Sequence, residues 1–210
     1  MPDYEQPIEA VALDAMGVMY PVADDLRELL IPYLRTKGCT VPDEAIIDAY
    51  RACYRDGAPA RQLWGRAGCD WYDGALERQF FACFELNAGV VDFLEAMREN
   101  STPVYGLSND VGEWAGQRRQ VLGIDHYFSG WVISSEVRSP KPEPAIYQHL
   151  LEMLPCSPGA CLFIDDRVPN LEAARSAGLA TVLFSAEATD GIRSVPDFVS
   201  LTALVTGRAP

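Results

Sequence analysis

The sequence predicts an α/β fold, with a Rossmann-like parallel sheet as core, helices on both faces and an inserted all-helical cap. Three observations predict it. From about residue 88 onward, short apolar runs alternate with stretches of helical period, the pattern of a parallel sheet crossed by helices. Between the first apolar run and that alternation, residues 20–87 carry helical patterns and no strand signal. Several of the apolar runs end in acidic or polar residues, and the carboxyl ends of parallel strands are where open α/β sheets hold ligands. The expected division is a core of residues 1–19 and 88–210 with a cap of residues 20–87.

In chain order, Ile8 to Leu13 is short, apolar and branched, which predicts a buried strand. Leu26, Leu29, Leu30, Tyr33 and Leu34 follow helical spacing until Gly38 stops the run. Pro42, followed by Asp43 and Glu44, opens a second helix through about Arg55, closed by Asp56-Gly57. Helical patterning continues past Trp64, Trp71 and Phe80-Phe81 to about Asn87. A helix from Asn87 to Arg98 is expected to turn Val90, Val91, Leu94 and Met97 inward. Thr102 to Leu107 reads as a strand, and Asp110 as the cap of a helix reaching Leu122. Trp131 to Ser134 is a short strand. Pro142 to Leu154 is a helix with Ile146, Leu150, Met153 and Leu154 on one face. Ala160 to Ile164 and Ala180 to Phe184 are further strands, separated by a helix that Gly178 closes. The tail carries one apolar patch, Phe198 to Val205.

Composition narrows the function classes. A net charge of −13 and the lack of a Lys/Arg cluster argue against general nucleic-acid or anionic-membrane binding. No stretch of apolar residues is long enough to span a bilayer. Met1 to Pro7 is acidic and polar, unlike a secretory signal, so a cytoplasmic protein is expected. The six cysteines include no C-x-x-C pair, and in a reducing compartment they are expected as free thiols.

Four polar groups fall where the chemistry would be: Asp14, Ser108-Asn109, Lys141 between two prolines, and Asp165-Asp166. Singly, each has a structural reading as a loop residue, a helix cap, a solvated lysine or a turn. Parallel strands bring all four to one rim of the sheet. Two or three carboxylates in close quarters repel unless a proton or cation intervenes. Oxygen-only donors suit Mg²⁺, and Lys141 with the Ser108 hydroxyl would clamp an anion. A carboxylate beside a metal and an anion clamp can attack phosphorus and form an aspartyl phosphate.

These residues resemble the haloacid dehalogenase superfamily of hydrolases. Its first motif, D-x-D-G-[TV], is matched by Asp14-Ala15-Met16-Gly17-Val18. Its Ser/Thr, Lys and acidic-pair motifs are matched by Ser108, Lys141 and Asp165-Asp166 in the same order. The helical insert resembles the superfamily's first type of cap. The resemblance implies that Asp14 is the nucleophile, and that Asp14, the Met16 carbonyl and Asp166 hold Mg²⁺ with Asp165 assisting. It implies that Ser108, Asn109 and Lys141 bind the phosphoryl group of a small phosphorylated metabolite.

Met16 departs from the pattern. Phosphatases of the superfamily usually carry a general acid and base there, and losing such a group typically costs about 10²–10⁴-fold in rate. The expected enzyme is therefore slow or dependent on a good leaving group. The superfamily's dehalogenases also lack that acid, with a first motif like D-A-Y-G-T, so a metal-free 2-haloacid dehalogenase is a second reading. In their fourth motif, S-x-N-x-x-D, Asp165, Arg167 and Asn170 stand in the corresponding places, and Tyr147 fits them too. A catalytically weak or inactive binding protein is a third. In the cap, Arg51, Arg55, Arg61 and Arg66 among Tyr54, Trp64 and Trp71 either line a leaving-group pocket or serve packing and solvation. His126 and His149 lack metal-ligand spacing. The sequence leaves monomer and homodimer open.

Overall fold

A computed structural model describes residues 6–69, 74–187 and 189–207 of the chain. Met1 to Glu5 of the acidic amino-terminal stretch and Trp71 lie outside the described residues.

The strands are β1 (Ala10–Leu13), β2 (Val104–Ser108), β3 (Phe128–Ile133), β4 (Cys161–Asp165), β5 (Ala180–Phe184) and β6 (Ser194–Val195). They form one sheet in the order β3-β2-β1-β4-β5-β6, and every pairing is parallel. The expected α/β architecture is the observed one. Val11 pairs with both Val104 and Leu162, so β1 is central and its carboxyl end opens between β2 and β4.

All four residues of β1 are buried, because both faces of the sheet are covered. The period-two alternation of the strand divides them. Val11 and Leu13 face a core shared with α5 (Val90–Glu99), α6 (Gly112–Val121) and α10 (Phe198–Thr206). Ala10 and Ala12 face the opposite layer, where Ile146, Tyr147 and Leu150 of α8 (Pro144–Met153) meet Leu171 and Ala174 of α9 (Val168–Ser176). Alanine on that side leaves room for Tyr147 and Phe163, whose rings meet edge-on at 6.1 Å.

Between β1 and α5 the described chain is helical. A π-helical turn, Leu26–Leu30, runs into α1 (Ile31–Thr36), followed by α2 (Asp43–Asp56), α3 (Ala60–Arg66) and α4 (Ala75–Phe81). Asp43 and Glu44 complement the amino terminus of α2, and Gly57, with φ +71°, ends it in the left-handed conformation. The apolar side chains of this segment continue the core on the Val11 face of the sheet. Its link to the sheet layer is specific. The indole N–H groups of Trp64 in α3 and Trp114 in α6 both donate to Oε1 of buried Glu77 in α4, at 2.8 and 2.7 Å. The two indoles lie 5.4 Å apart, with Phe80 packed against both.

Several local expectations need correction. The helix expected from Asn87 begins at Val90, because Asn87 turns back and donates to the carbonyls of Val18 and Met19. Val91 is exposed, and Phe93 takes its place in the core. Met153 is likewise exposed, and Tyr147 joins Ile146 and Leu150 as the buried residues of that helix. Asp110 does not cap α6, which starts from Val111 without a side-chain cap. Its carboxylate instead pairs with Arg118 in the interior. The third strand starts earlier, at Phe128, and Ser134 opens a short helix, α7 (Ser134–Val137). The Phe198–Val205 patch is α10, begun by Asp197, which accepts from the Ser200 N–H at 2.7 Å. Among the described residues no disulfide joins the cysteines.

Candidate active site

β1 delivers Asp14 one residue past its last rung, where the Asp14 N–H still bonds the Ile164 carbonyl at 2.9 Å. The chain then turns sharply, and Gly17 sits at φ +77° with its N–H on the Val22 carbonyl. A β-carbon at Gly17 would lie 2.3 Å from Oδ2 of Asp166, so the turn and the second acidic residue compete for one space. Gly17→Ala is therefore expected to push Asp166 aside and to cost about 1–2 kcal/mol of backbone strain. Thermal denaturation would show the lowered midpoint.

Lys141 is the hub. Its ammonium contacts Asp14 Oδ1 at 2.7 Å and Asp165 Oδ2 at 2.8 Å, and its side chain is only 1% exposed. Asn109 fixes it by the backbone: the Asn109 amide donates to the Lys141 carbonyl at 3.0 Å and accepts from its N–H at 2.7 Å. Asp165 is wholly buried, accepts from Asn170 at 3.0 Å on both oxygens, and accepts from the Arg167 N–H at 2.8 Å. Tyr147 donates to the Asn170 carbonyl at 2.9 Å and so holds that residue in turn. Ser108 closes β2, and its buried hydroxyl has no partner among the described residues.

Asp14, Asp165 and Asp166 each place an oxygen within 4.8 Å of the others. Burial raises the Asp14 pKa well above the ordinary carboxylate value, Lys141 opposes that, and Asp165 and Asp166 add to it. Burial and then Asp165 push Asp166 up to about 6. Lys141 stays charged, because Asp14 and Asp165 outweigh the cost of burying its ammonium. Two carboxylates thus share one ammonium, and the buried Oδ1 of Asp166 beside them has no partner among the described residues. This oxygen-only donor set fits a hard divalent cation.

A cavity of about 410 Å³ opens over this group. Asp14, Met16, Asn109, Lys141 and Asp166 line it from the sheet side, and Asp25, Ile47, Tyr50, Arg51 and Tyr54 from the helical segment. Of the arginines singled out in the sequence, Arg51 lines the cavity, Arg55 pairs with Glu143 at 2.6 Å, and Arg61 and Arg66 are exposed. Trp64 is buried away in the aromatic core. His126 stacks on Tyr127, with ring centroids 4.0 Å apart, and His149 lies 3.7 Å from Glu152.

Residues 8–178 match the family model of the haloacid dehalogenase-like hydrolases. The chain belongs to that family. As a haloacid dehalogenase-like hydrolase it is an enzyme with phosphatases among its relatives. It is 28% identical over 106 residues to a phosphorylated carbohydrates phosphatase of Thermotoga maritima, a match covering 50% of this chain and 49% of that protein. It is 24% identical over 190 residues to a phosphoglycolate phosphatase of Thiobacillus denitrificans, covering 85% of this chain and 83% of that one. The chain thus spans about half the length of the Thermotoga relative. Among solved structures, a HAD phosphatase from Thermococcus onnurineus superimposes with a TM-score of 0.74 at 17% identity, covering 97% of this chain and all of that one (100%). An L-2-haloacid dehalogenase from Xanthobacter autotrophicus does so with a TM-score of 0.65 at 17% identity, covering 96% of this chain and 100% of that one. At such identities the two structures share the fold of this hydrolase, and that alone.

Of the residues singled out in the sequence, Asp14, Met16, Asn109, Lys141 and Asp166 line one cavity of this haloacid dehalogenase-like hydrolase, Asp165 pairs with Lys141 beneath it, and Ser108 is not among the lining residues. Asp25 and Tyr50 line the same cavity and were not singled out in the sequence. Asp24-Asp25 reads as the start of a helix, and nothing local marks Tyr50 apart from any helical tyrosine. Among the described residues no helix is long and apolar enough to cross a membrane.

Proposed function

We propose that this hydrolase cleaves a small phosphorylated metabolite through an aspartyl phosphate on Asp14, with residues 20–87 serving as a cap over the site. The observation that supports it is the buried Asp14–Lys141–Asp165 cluster with the unpartnered oxygen of Asp166 beside it. Asp14, Asp166 and the carbonyl of Met16 would hold Mg²⁺, which supplies charge neutralisation for nucleophile and phosphate. Asp165, with both oxygens occupied, orients Lys141 and stays behind it.

The Asp14 carboxylate attacks phosphorus, and the leaving oxygen departs on the far side. Lys141 and the unpartnered Ser108 hydroxyl stabilise the charge on the transferring phosphoryl group. Water then releases phosphate and regenerates Asp14. The phosphatase relatives point to phosphorylated sugars and small phosphorylated acids as the substrates to try first. The second reading, a metal-free 2-haloacid dehalogenase, draws on Met16 and the Lys141–Asp165–Asn170 network. The second carboxylate, Asp166, is unfavourable in a site without a metal.

Turnover of a panel of phosphate monoesters, measured with Mg²⁺ and with chelator, tests the proposal. The expected result is metal-dependent phosphate release that falls to background in Asp14→Asn. Release that survives either treatment would sink it, and chloride release from 2-haloacids without metal would establish the second reading.

A further inference from the structure

Met16 leaves the site without a proton carrier two residues after the nucleophile. We propose that Asp25, positioned by Tyr50, donates the proton to the leaving oxygen and later takes one from the attacking water. This rests on the aspartyl-phosphate reading above.

Asp25 lies between β1 and the π-helical turn, is 6% exposed, and lines the cavity that also holds Asp14. In-line attack by Asp14 sends the leaving oxygen away from Asp14 into the cavity whose helical wall includes Asp25 and Tyr50. Both Asp25 oxygens lie within hydrogen-bond reach of the Tyr50 hydroxyl, at 3.0 and 2.8 Å. One hydroxyl hydrogen serves one oxygen at a time, so the other is left to carry a proton. Burial raises the Tyr50 pKa well above the ordinary phenol value, and Asp25 adds to this, so Tyr50 remains a neutral donor.

The charged groups facing Asp25 are Asp110 and Arg118 from the β2–α6 side, Tyr50 from α2, and Asp24 beside it. Burial pushes the carboxyl up to about 6, Asp110 adds to this, and Arg118 and the Tyr50 hydroxyl oppose it. A carboxyl in that range loads and unloads near neutrality, as a general acid must.

The step balances. A bond forms between Asp14 oxygen and phosphorus, and the bond from phosphorus to the leaving oxygen breaks with its electron pair on that oxygen. The Asp25 proton moves to it, and an alcohol leaves. In the second half, the water oxygen bonds to phosphorus while the bond from phosphorus to the Asp14 oxygen breaks with its electron pair on Asp14. The Asp25 carboxylate accepts the water's proton, so phosphate leaves, Asp14 returns as a carboxylate and Asp25 as a carboxyl.

The test is kcat/KM with Mg²⁺ for alkyl phosphates and for p-nitrophenyl phosphate, in the unaltered enzyme, Asp25→Asn and Tyr50→Phe. For Asp25→Asn, alkyl esters are expected to lose about 10²–10⁴-fold while the nitrophenyl ester, whose leaving group needs no proton, changes little. The decline in alkyl-ester rate above about pH 6 should vanish in Asp25→Asn. It should move to higher pH in Tyr50→Phe, where the carboxylate loses a stabilising donor. A merely structural residue would depress all esters alike. An equal loss for every ester, or none, in a folded and active variant overturns the role of Asp25 alone. If Asp25→Asn fails to fold, an alkyl-ester pH profile unmoved by Tyr50→Phe overturns it. An unaltered enzyme that turns over no ester of the set overturns the phosphatase reading, and this proposal with it.

Discussion

Replacing Lys141 by methionine is expected to cost about 3–5 kcal/mol of stability at neutral pH, together with activity. The ammonium is the common partner of Asp14 and Asp165, at 2.7 and 2.8 Å, and none of the three is more than 6% exposed. Without it two carboxylates remain buried side by side. Burial already holds the Asp14 pKa well above its ordinary value, and the substitution removes the charge that opposes that rise. The stability that Asp14 permits is full below the unfolded value, near 4, and is lost as pH rises through the raised folded value. The deficit against the unaltered protein should therefore be largest near pH 7 and shrink toward pH 4. Urea denaturation of both proteins at the two pH values measures it. A deficit that does not change with pH would mean that Lys141 acts by packing alone.

A second large effect is expected at Arg118. Its guanidinium pairs with Asp110, and the two side chains are 1% and 2% exposed. It also lies over the rings of Phe84 and Tyr20, at 4.4 and 5.2 Å. Arg118→Met keeps most of the apolar contact but strands Asp110 and removes the charge that restrains Asp25. A loss of about 3–5 kcal/mol is expected, most of it recovered by adding Asp110→Asn. A double variant no more stable than Arg118→Met would show that the ring contacts of the guanidinium, and not the ion pair, carry its contribution.

The two cases differ in how far the sequence announces them. Asp14 and Asp165 could be found because each ends a short apolar run, and parallel pairing fixes where such ends meet. Lys141 could be found from its proline-flanked position and the order of the motifs. Asp110 reads as a helix cap because Asn109-Asp110 stands directly before a helical pattern. Its partner lies eight residues on, on the inward side of α6, where a second arginine follows at once. Local spacing cannot say which of Arg118 and Arg119 is buried. Asp25 is hidden for the same reason: its burial depends on α2 and α6 folding over it. Val91 and Met153 sit at the margins of their apolar stripes, where periodicity does not separate core from surface. The helix α10 was unreadable because an apolar run with little polar contrast shows no period.

The shared acceptor at Glu77 bears on how molecules come and go. Lifting the helical segment off the sheet layer would strip the Trp114 indole from the Glu77 oxygen and wet its ring. A ring of that size hides about 150–250 Å², about 4–6 kcal/mol at about 25 cal/mol/Å². At about 1.4 kcal/mol per factor of ten, a fully raised form occupies at most about one molecule in a few hundred. Passage is then through the standing mouth, where the exposed side chains of Arg27, Arg51 and Arg167 can swing on their own bonds. Those three arginines stand at the mouth of the cavity, and the Trp64–Trp114 ring pair ties the helical segment to the sheet layer behind it.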